Sequence, residues 1–260
     1  MSAARDDLKG RVVLVTGGGK GVGRGISECF LEAGATVVIC GRGRPETLPA
    51  AGGREAVFVE ANVVDQAAIE ALMDGIARQH GRLDVLVNNA GGTPFVLAAE
   101  ASPRYHESIV RLNLLAPLWL SVRAHALMQA QAEGGVIVNI GTVGAYDARP
   151  GSATYAAAKA GVLSLTRSLA VEWAPKVRVV SVSPGLVMTE QAHQHYGDDA
   201  GIAAVSKTVP LQRMAQPRDI GAACVFLAGA GAGYVSGTDL LVHGGGERTS
   251  FLDAATVNKT

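Results

Sequence analysis

The sequence predicts an α/β fold, a doubly wound seven-stranded parallel sheet with helices on both faces, and three observations carry that prediction. Short β-branched runs alternate with longer amphipathic stretches from one end to the other. The strand candidates are almost wholly apolar, as strands covered on both faces must be. A glycine-rich turn joins the first strand candidate to the first helix candidate, the strand–turn–helix context of a nucleotide-binding motif.

The strand candidates are 12–15, 36–40, 56–59, 83–87, 136–140, 177–182 and 240–242. Helix candidates lie between them at 23–33, 66–80, 104–131, 153–173 and 217–227. In the first helix Ile26, Cys29, Phe30 and Ala33 recur at helical spacing, and Gly34 supplies a stop. No repeat or linker divides the chain, and 260 residues suit a single domain able to bury a substantial core. The expected organisation is an N-terminal arm at 1–9, a substrate lid at 186–215 and a C-terminal tail at 246–260 that carries Phe251 and Leu252.

Lys plus Arg and Asp plus Glu number 23 each, which speaks against a general nucleic-acid or anionic-membrane surface. Residues 220–238 are uncharged, but Gly221, Gly229, Gly231, Gly233 and Gly237 fit a helix followed by a loop better than a membrane span. The charged N-terminus lacks the apolar core of a signal peptide, and Cys29, Cys40 and Cys224 sit in apolar contexts as reduced, buried thiols do. A cytoplasmic location is expected.

The turn runs Thr16-Gly17-Gly18-Gly19-Lys20-Gly21-Val22-Gly23. Glycines allow backbone to approach a pyrophosphate, and amides at a helix start face its charge. A NAD-binding fold usually places a carboxylate at the end of the second strand. This chain has Cys40-Gly41-Arg42-Gly43-Arg44 there. Arg42 offers a planar fork to a 2′-phosphate, and Lys20 adds a second charge, so NADP(H) is favoured with NAD(H) as the alternative. The competing explanation is that both are plain surface residues of turns.

Tyr155 and Lys159 stand four residues apart on a helix candidate, one turn apart on one face. An ammonium beside a phenol favours the phenolate and lowers the tyrosine's pKa from about 10. Together with the glycine turn, the pair points to hydride chemistry on a carbonyl or an alcohol.

These motifs resemble the short-chain dehydrogenases/reductases, in their short single-domain form, over residues 9–245. In order come the turn at 16–23, Asn88-Asn89-Ala90-Gly91, Tyr155-xxx-Lys159, Pro184-Gly185 and Thr189. The resemblance implies a catalytic set of Asn113, Thr142, Tyr155 and Lys159, with Thr142 thirteen residues before the tyrosine in a position usually held by serine. Asn113 would hold a water linking Lys159 to solvent, though as a bare sequence feature it reads as an amide bonding helix backbone. The resemblance implies cofactor contacts from Gly17, Gly19, Lys20, Gly21, Val22, Gly23, Arg42, Asn62, Val63, Asn89, Ala90, Gly91, Tyr155, Lys159, Pro184, Gly185, Val187 and Thr189. Thr189 would bond the nicotinamide carboxamide. Asn62 stands where the family generally has an aspartate near the adenine, a contact an amide can still make; Val180 and His243 also depart from residues common in the family, which puts local packing rather than chemistry in doubt.

On this resemblance Tyr155 exchanges a proton with the substrate oxygen, Lys159 lowers its pKa, and Thr142 orients the oxygen. The pocket is expected to be mostly apolar, lined by Gly92, Phe95, Val143, Tyr146 and Leu186, and to take a small-molecule carbonyl or alcohol. His193, His195 and Tyr196 of the lid are further candidates for substrate contact. His193 and His195 find no further ligands nearby, so they read as loop histidines and no metal site is expected. Arg149 is as readily surface charge as a partner for an acidic substrate. Leu163, Leu165 and Leu169 occupy more than one face of their helix, and the family commonly pairs such helices across subunits, so a homotetramer or homodimer is expected. Two rivals remain open: a non-catalytic NADP(H)-binding regulatory protein of the same fold, and a relative using the same parts for epimerisation or dehydration.

Overall fold

In a computed structural model, which describes residues 8–246, seven parallel strands form one sheet in the order β5-β2-β1-β6-β7-β8-β9. They are β1 (Val12–Thr16), β2 (Thr36–Gly41), β5 (Val57–Glu60), β6 (Val85–Asn88), β7 (Gly135–Ile140), β8 (Val177–Pro184) and β9 (Asp239–Val242). Strand period decides where the core sits. Val13, Val15, Val37, Ile39, Val85, Val87, Val180 and Val182 face one side and bury against Ile26 and Phe30 of α1 (Gly21–Glu32) and Ile220 and Leu227 of α8 (Pro217–Ala228). Their neighbours Val12, Leu14, Val38, Leu86, Ile137 and Val179 face the other side, against α2 (Gln66–His80), α4 (Ala116–Ala130) and α5 (Ala153–Glu172). Full burial of a side chain such as Phe30 contributes roughly 1.5–3 kcal/mol.

The helices begin and end where their caps place them. Asp65 accepts from Ala67 N at 3.0 Å to start α2, and Gly81 ends it in the left-handed region at φ 69°. At the N-terminal edge of the sheet, buried Asp84 accepts from Val12 N at 2.8 Å, Arg11 at 2.9 Å and Arg82 at 2.6 and 2.8 Å. Burial alone would raise its pKa, but these donors more than offset it and hold the carboxyl below its ordinary value. The network ties the starts of β1 and β6 together at the end of the sheet away from the glycine turn.

One segment departs from expectation, and two carry elements that the sequence does not announce. Residues 104–131 are not one regular helix: α3 (Pro103–Val110) passes into α4 through a π-helical turn at Arg111–Leu115. The crossover after β2 carries a small hairpin of β3 (Ala50–Ala51) and β4 (Arg54–Glu55) in place of a helix. Segment 186–215 contains α6 (Ala192–Tyr196) and α7 (Asp199–Thr208), the latter capped by Asp198 accepting from Gly201 N at 2.9 Å. Leu163 and Leu169 are buried and Leu165 packs on the core. Cys29, Cys40 and Cys224 are buried free thiols. No helix of the described residues is long and apolar enough to cross a membrane. The expected arm, apart from Leu8 and Lys9, and the expected tail with Phe251 and Leu252, apart from Gly246, lie outside the described residues.

Candidate active site

Sheet order reverses at β1, with β2 on one side and β6 on the other, so a crevice opens at the carboxyl ends of these strands. The glycine turn lines it. Gly17 and Gly21 take φ of 63° and 52°, the left-handed region open to glycine. Gly17 N donates to Cys40 O at 2.8 Å, and buried Ser27 donates to Gly18 O and Gly23 O at 3.0 and 2.9 Å. Asn89 and Ala90 fasten the other wall. Asn89 Nδ2 donates to Thr16 O at 2.9 Å, while Thr16 Oγ1 accepts from Asn89 N at 3.0 Å and Ala90 N at 2.9 Å.

A Cβ at Gly23 would overlap the Gly17 carbonyl oxygen and stand 2.5 Å from Asn89 Nδ2, so backbone rather than side chain forms the floor of the turn. Lys20 at the start of α1 makes no side-chain cap, and Gly21 N donates instead to the Glu190 carboxylate, at 3.1 and 3.3 Å. The turn therefore already holds an anionic oxygen on a helix-start amide, and these residues fit the pyrophosphate of a dinucleotide. Val22 follows in the first turn of α1, half-buried against the core. Pro45 folds over Gly19, with its Cγ 3.0 Å from where a Gly19 Cβ would stand. Arg42 is exposed just beyond β2, Asn62 is exposed and Val63 is buried after β5, all on the β2 side of the crevice.

The tyrosine–lysine pair projects from α5. Lys159 Nζ lies 5.8 Å from the centre of the Tyr155 ring and donates to Ile140 O at 2.7 Å, at the end of β7. Two residues on, Thr142 Oγ1 accepts from Gly144 N at 3.2 Å. The expected depression of the tyrosine's pKa is not what this environment produces. Burial pushes the half-buried Tyr155 phenol up to about 12 and draws the fully enclosed Lys159 ammonium down to about 8. Each shift favours the neutral form, because desolvation outweighs the attraction that helical spacing suggests.

Asn113 sits in the π-helical turn, a distortion that often marks functional sites. Its amide donates to Ile109 O and Gly92 O, both at 3.0 Å, and accepts from Gly92 N at 2.9 Å. A Cβ on Gly91 would stand 2.6 Å from Asn113 Oδ1 and 3.4 Å from Lys159 Nζ. Asn113 thus fixes the Gly91–Gly92 loop beside the lysine, besides bonding helix backbone through Ile109.

Beyond β8, Pro184 ends the strand, Gly185 N donates to Val242 O at 3.0 Å, and Val187 pairs with Ala215. Thr189 Oγ1 accepts from Gln191 N at 3.3 Å, with its methyl 3.6 Å from where a Gly21 Cβ would stand. A small cavity is lined by Val143, Asp147, Arg149, Leu186, Val209 and His243, with Gly185 and Gly246 closing it. Of the expected pocket residues, Val143 and Leu186 line this cavity, while Phe95 and Tyr146 do not. Phe95 is 74% exposed with its ring on Gly151, and Tyr146 is 56% exposed and donates to Asp239 at 2.8 Å. Arg149, Asp147 and His243 make the cavity more polar than an apolar lining suggests. Composition gives no signal for this, since only the fold brings 147–149 and 243 together. His193 lies in α6, not a loop, and its Nδ1 is 3.1 Å from Gly197 O. Among the described residues no group of three or more His, Cys, Asp or Glu could hold a metal ion.

A parallel sheet with a glycine turn at its switch point, and a tyrosine–lysine pair across the crevice, defines a dinucleotide-fold protein of the oxidoreductase class. Residues 17–247 match the family model described as enoyl-(acyl carrier protein) reductase. The chain is 36% identical to 3-oxoacyl-(acyl-carrier-protein) reductase FabG of Vibrio harveyi, covering 92% of this chain and 98% of that protein. It is 34% identical to D-threitol dehydrogenase of Mycolicibacterium smegmatis, covering 92% and 93%. The ligand-free aldohexose dehydrogenase of Thermoplasma acidophilum superposes with a TM-score of 0.86 at 29% identity, covering 98% of both chains. The chain belongs to the short-chain dehydrogenase/reductase family, whose members are oxidoreductases that generally use NAD(P)(H) and act on small molecules.

Proposed function

We propose that this chain is a single-domain oxidoreductase that transfers hydride between NADP(H) and a carbonyl or secondary alcohol, with Tyr155 as general acid and base. The observation that carries this reading is the Tyr155–Lys159 pair on α5, with Lys159 anchored to the end of β7 and flanked by the Asn113-held Gly91 loop. When bound, the nicotinamide supplies or accepts the hydride. The chain's own residues do the rest. Tyr155, protonated at neutral pH, gives its proton to a substrate oxygen that gains negative charge, and takes it back in the reverse direction. Thr142 donates a second hydrogen bond to that oxygen. Lys159 holds its charge below about pH 8, offsets the charge that develops on Tyr155 and binds the ribose. Gly17 through Gly23, with Asn89, Ala90 and Gly91, form the cradle; Pro184, Gly185, Val187 and Thr189 form the nicotinamide side, and segment 186–215 is the lid.

The test is reduced-nicotinamide absorbance with NADPH and NADH across a panel of 3-oxoacyl thioesters, polyols, sugars and small ketones. The relatives named for oxoacyl carrier protein, threitol and aldohexose set that panel. Binding without turnover anywhere on it would favour a regulatory role.

The preference for NADP(H) rests on exposed Arg42 and Lys20 at the edge of the crevice and on the lack of an acid at 41–44. Arg42→Ala is expected to weaken NADPH binding about tenfold and leave NADH binding nearly unchanged, as loss of one charge-assisted phosphate contact would. Equal loss for both cofactors in fluorescence titration would discard the role of Arg42. The proposal extends to assembly as a tetramer or dimer through α4 and α5, each of which exposes a valine, Val122 and Val171. Light scattering that finds a monomer at micromolar concentration would end that part of the proposal.

A further inference from the structure

The geometry points to Glu190 as a displaceable latch: its carboxylate stands in for the cofactor's pyrophosphate on the Gly21 amide and ties the start of the 186–215 segment to the glycine turn until the dinucleotide takes its place. This inference rests on the crevice being a dinucleotide site. Its ground is a contact between residues 169 apart in sequence. Gly21 opens α1, so its N–H has no partner within the helix, and Lys20 supplies no side-chain cap. Glu190 fills that role with both oxygens, at 3.3 and 3.1 Å. A carboxylate and a phosphate are the same kind of acceptor for a helix-start amide, and two anions crowded at one such donor repel. The two therefore compete.

The latch is weak enough to yield. Glu190 is exposed, so solvent screens the bond and holding a long side chain in one rotamer costs entropy. A pyrophosphate brings more charge and is held by the rest of the cradle. The position of Glu190 makes the exchange consequential. It directly follows Thr189, whose hydroxyl accepts from Gln191 N at 3.3 Å while Glu190 is engaged, and α6 begins two residues later. Met188 N and Ala215 N pair with Ala215 O and Leu186 O at 2.8 and 2.9 Å, and Ala192 and Ile202 pack with Met214, so the stretch that Glu190 can release is the short one from Thr189 to Gln191. Displacing Glu190 frees that short stretch next to the cavity formed by Leu186 and Val209.

The test uses the full chain, its Glu190→Ala and its Glu190→Gln variants, none of which removes a core or catalytic side chain. NADPH and, separately, inorganic pyrophosphate are titrated by calorimetry, and hydrogen exchange of 186–215 is followed without and with saturating NADPH. E190A is expected to bind NADPH roughly twofold to fivefold more tightly, the scale of one exposed contact at a helix terminus. Without cofactor its residues 189–191 should exchange faster than those of the wild type, and the difference should vanish at saturation. E190Q keeps a neutral acceptor, so its exchange should fall between the two while pyrophosphate binding still improves. Unchanged or weaker NADPH affinity in E190A overturns the latch. Tighter binding in both variants with unchanged exchange also overturns it, leaving simple charge repulsion. If none of the three proteins binds NADPH, or NADH titrated in the same way, the reading of the crevice falls and the latch falls with it.

Discussion

Tyr155→Phe is expected to lower kcat by about 10²- to 10⁴-fold while the cofactor dissociation constant stays within a few fold, the range for loss of one positioned general acid. The substitution removes a single oxygen and leaves the ring beside Lys159, whose bond to Ile140 O does not involve the tyrosine. What is lost is a proton held on the phenol at neutral pH, since burial keeps its pKa near 12. A carbonyl taking up hydride then has only the Thr142 hydroxyl and solvent to stabilise its oxygen. Because the phenol is desolvated, its removal should not lower the melting temperature appreciably. Turnover, NADPH titration and thermal melting on the same preparation separate these effects. A variant that keeps more than a tenth of wild-type turnover would remove Tyr155 from the chemistry.

Much of this architecture was legible because its signals are local. The central strands stand out since burial on both faces demands mostly apolar runs, as in Val12–Thr16. The glycine turn and the tyrosine–lysine pair are short contiguous motifs, so their neighbours in sequence are their neighbours in space. What escaped depends on distant partners. The π-helical turn at Arg111–Leu115 has no signature in its own run of leucines; Asn113 bonding to Gly92, 21 residues away, accompanies it. Helical spacing suggests that Lys159 depresses the pKa of Tyr155, yet burial, a property of the whole fold, reverses the shift. Tyr146 belongs to the expected pocket by its place in the chain, but Asp239, 93 residues on, draws its hydroxyl away. Glu190 was invisible for the same reason, since nothing in its neighbourhood announces Gly21.

Gly23→Ala should abolish measurable cofactor binding, weakening it by more than about 100-fold, and lower stability by about 1–3 kcal/mol, the usual cost of overpacking. Helix propensity alone argues the reverse, because alanine within a helix is favoured over glycine by roughly 1 kcal/mol. Sterics decide the sign here. The new Cβ would overlap the Gly17 carbonyl oxygen and stand 2.5 Å from Asn89 Nδ2. Neither neighbour can retreat cheaply, since Gly17 N is bonded to Cys40 O at 2.8 Å and Asn89 Nδ2 to Thr16 O at 2.9 Å. Relief must come from lifting the start of α1 off β1, which swings the Gly21 and Val22 amides out of the crevice. Gly75→Ala is the control: it lies within α2 with nothing within 4 Å of its Cβ position, so there the propensity gain stands alone and melting should rise slightly. Calorimetric titration and thermal melting of both variants read the contrast. A Gly23→Ala protein that binds and melts like the Gly75→Ala control would show that close backbone approach at the turn is not what holds the cofactor.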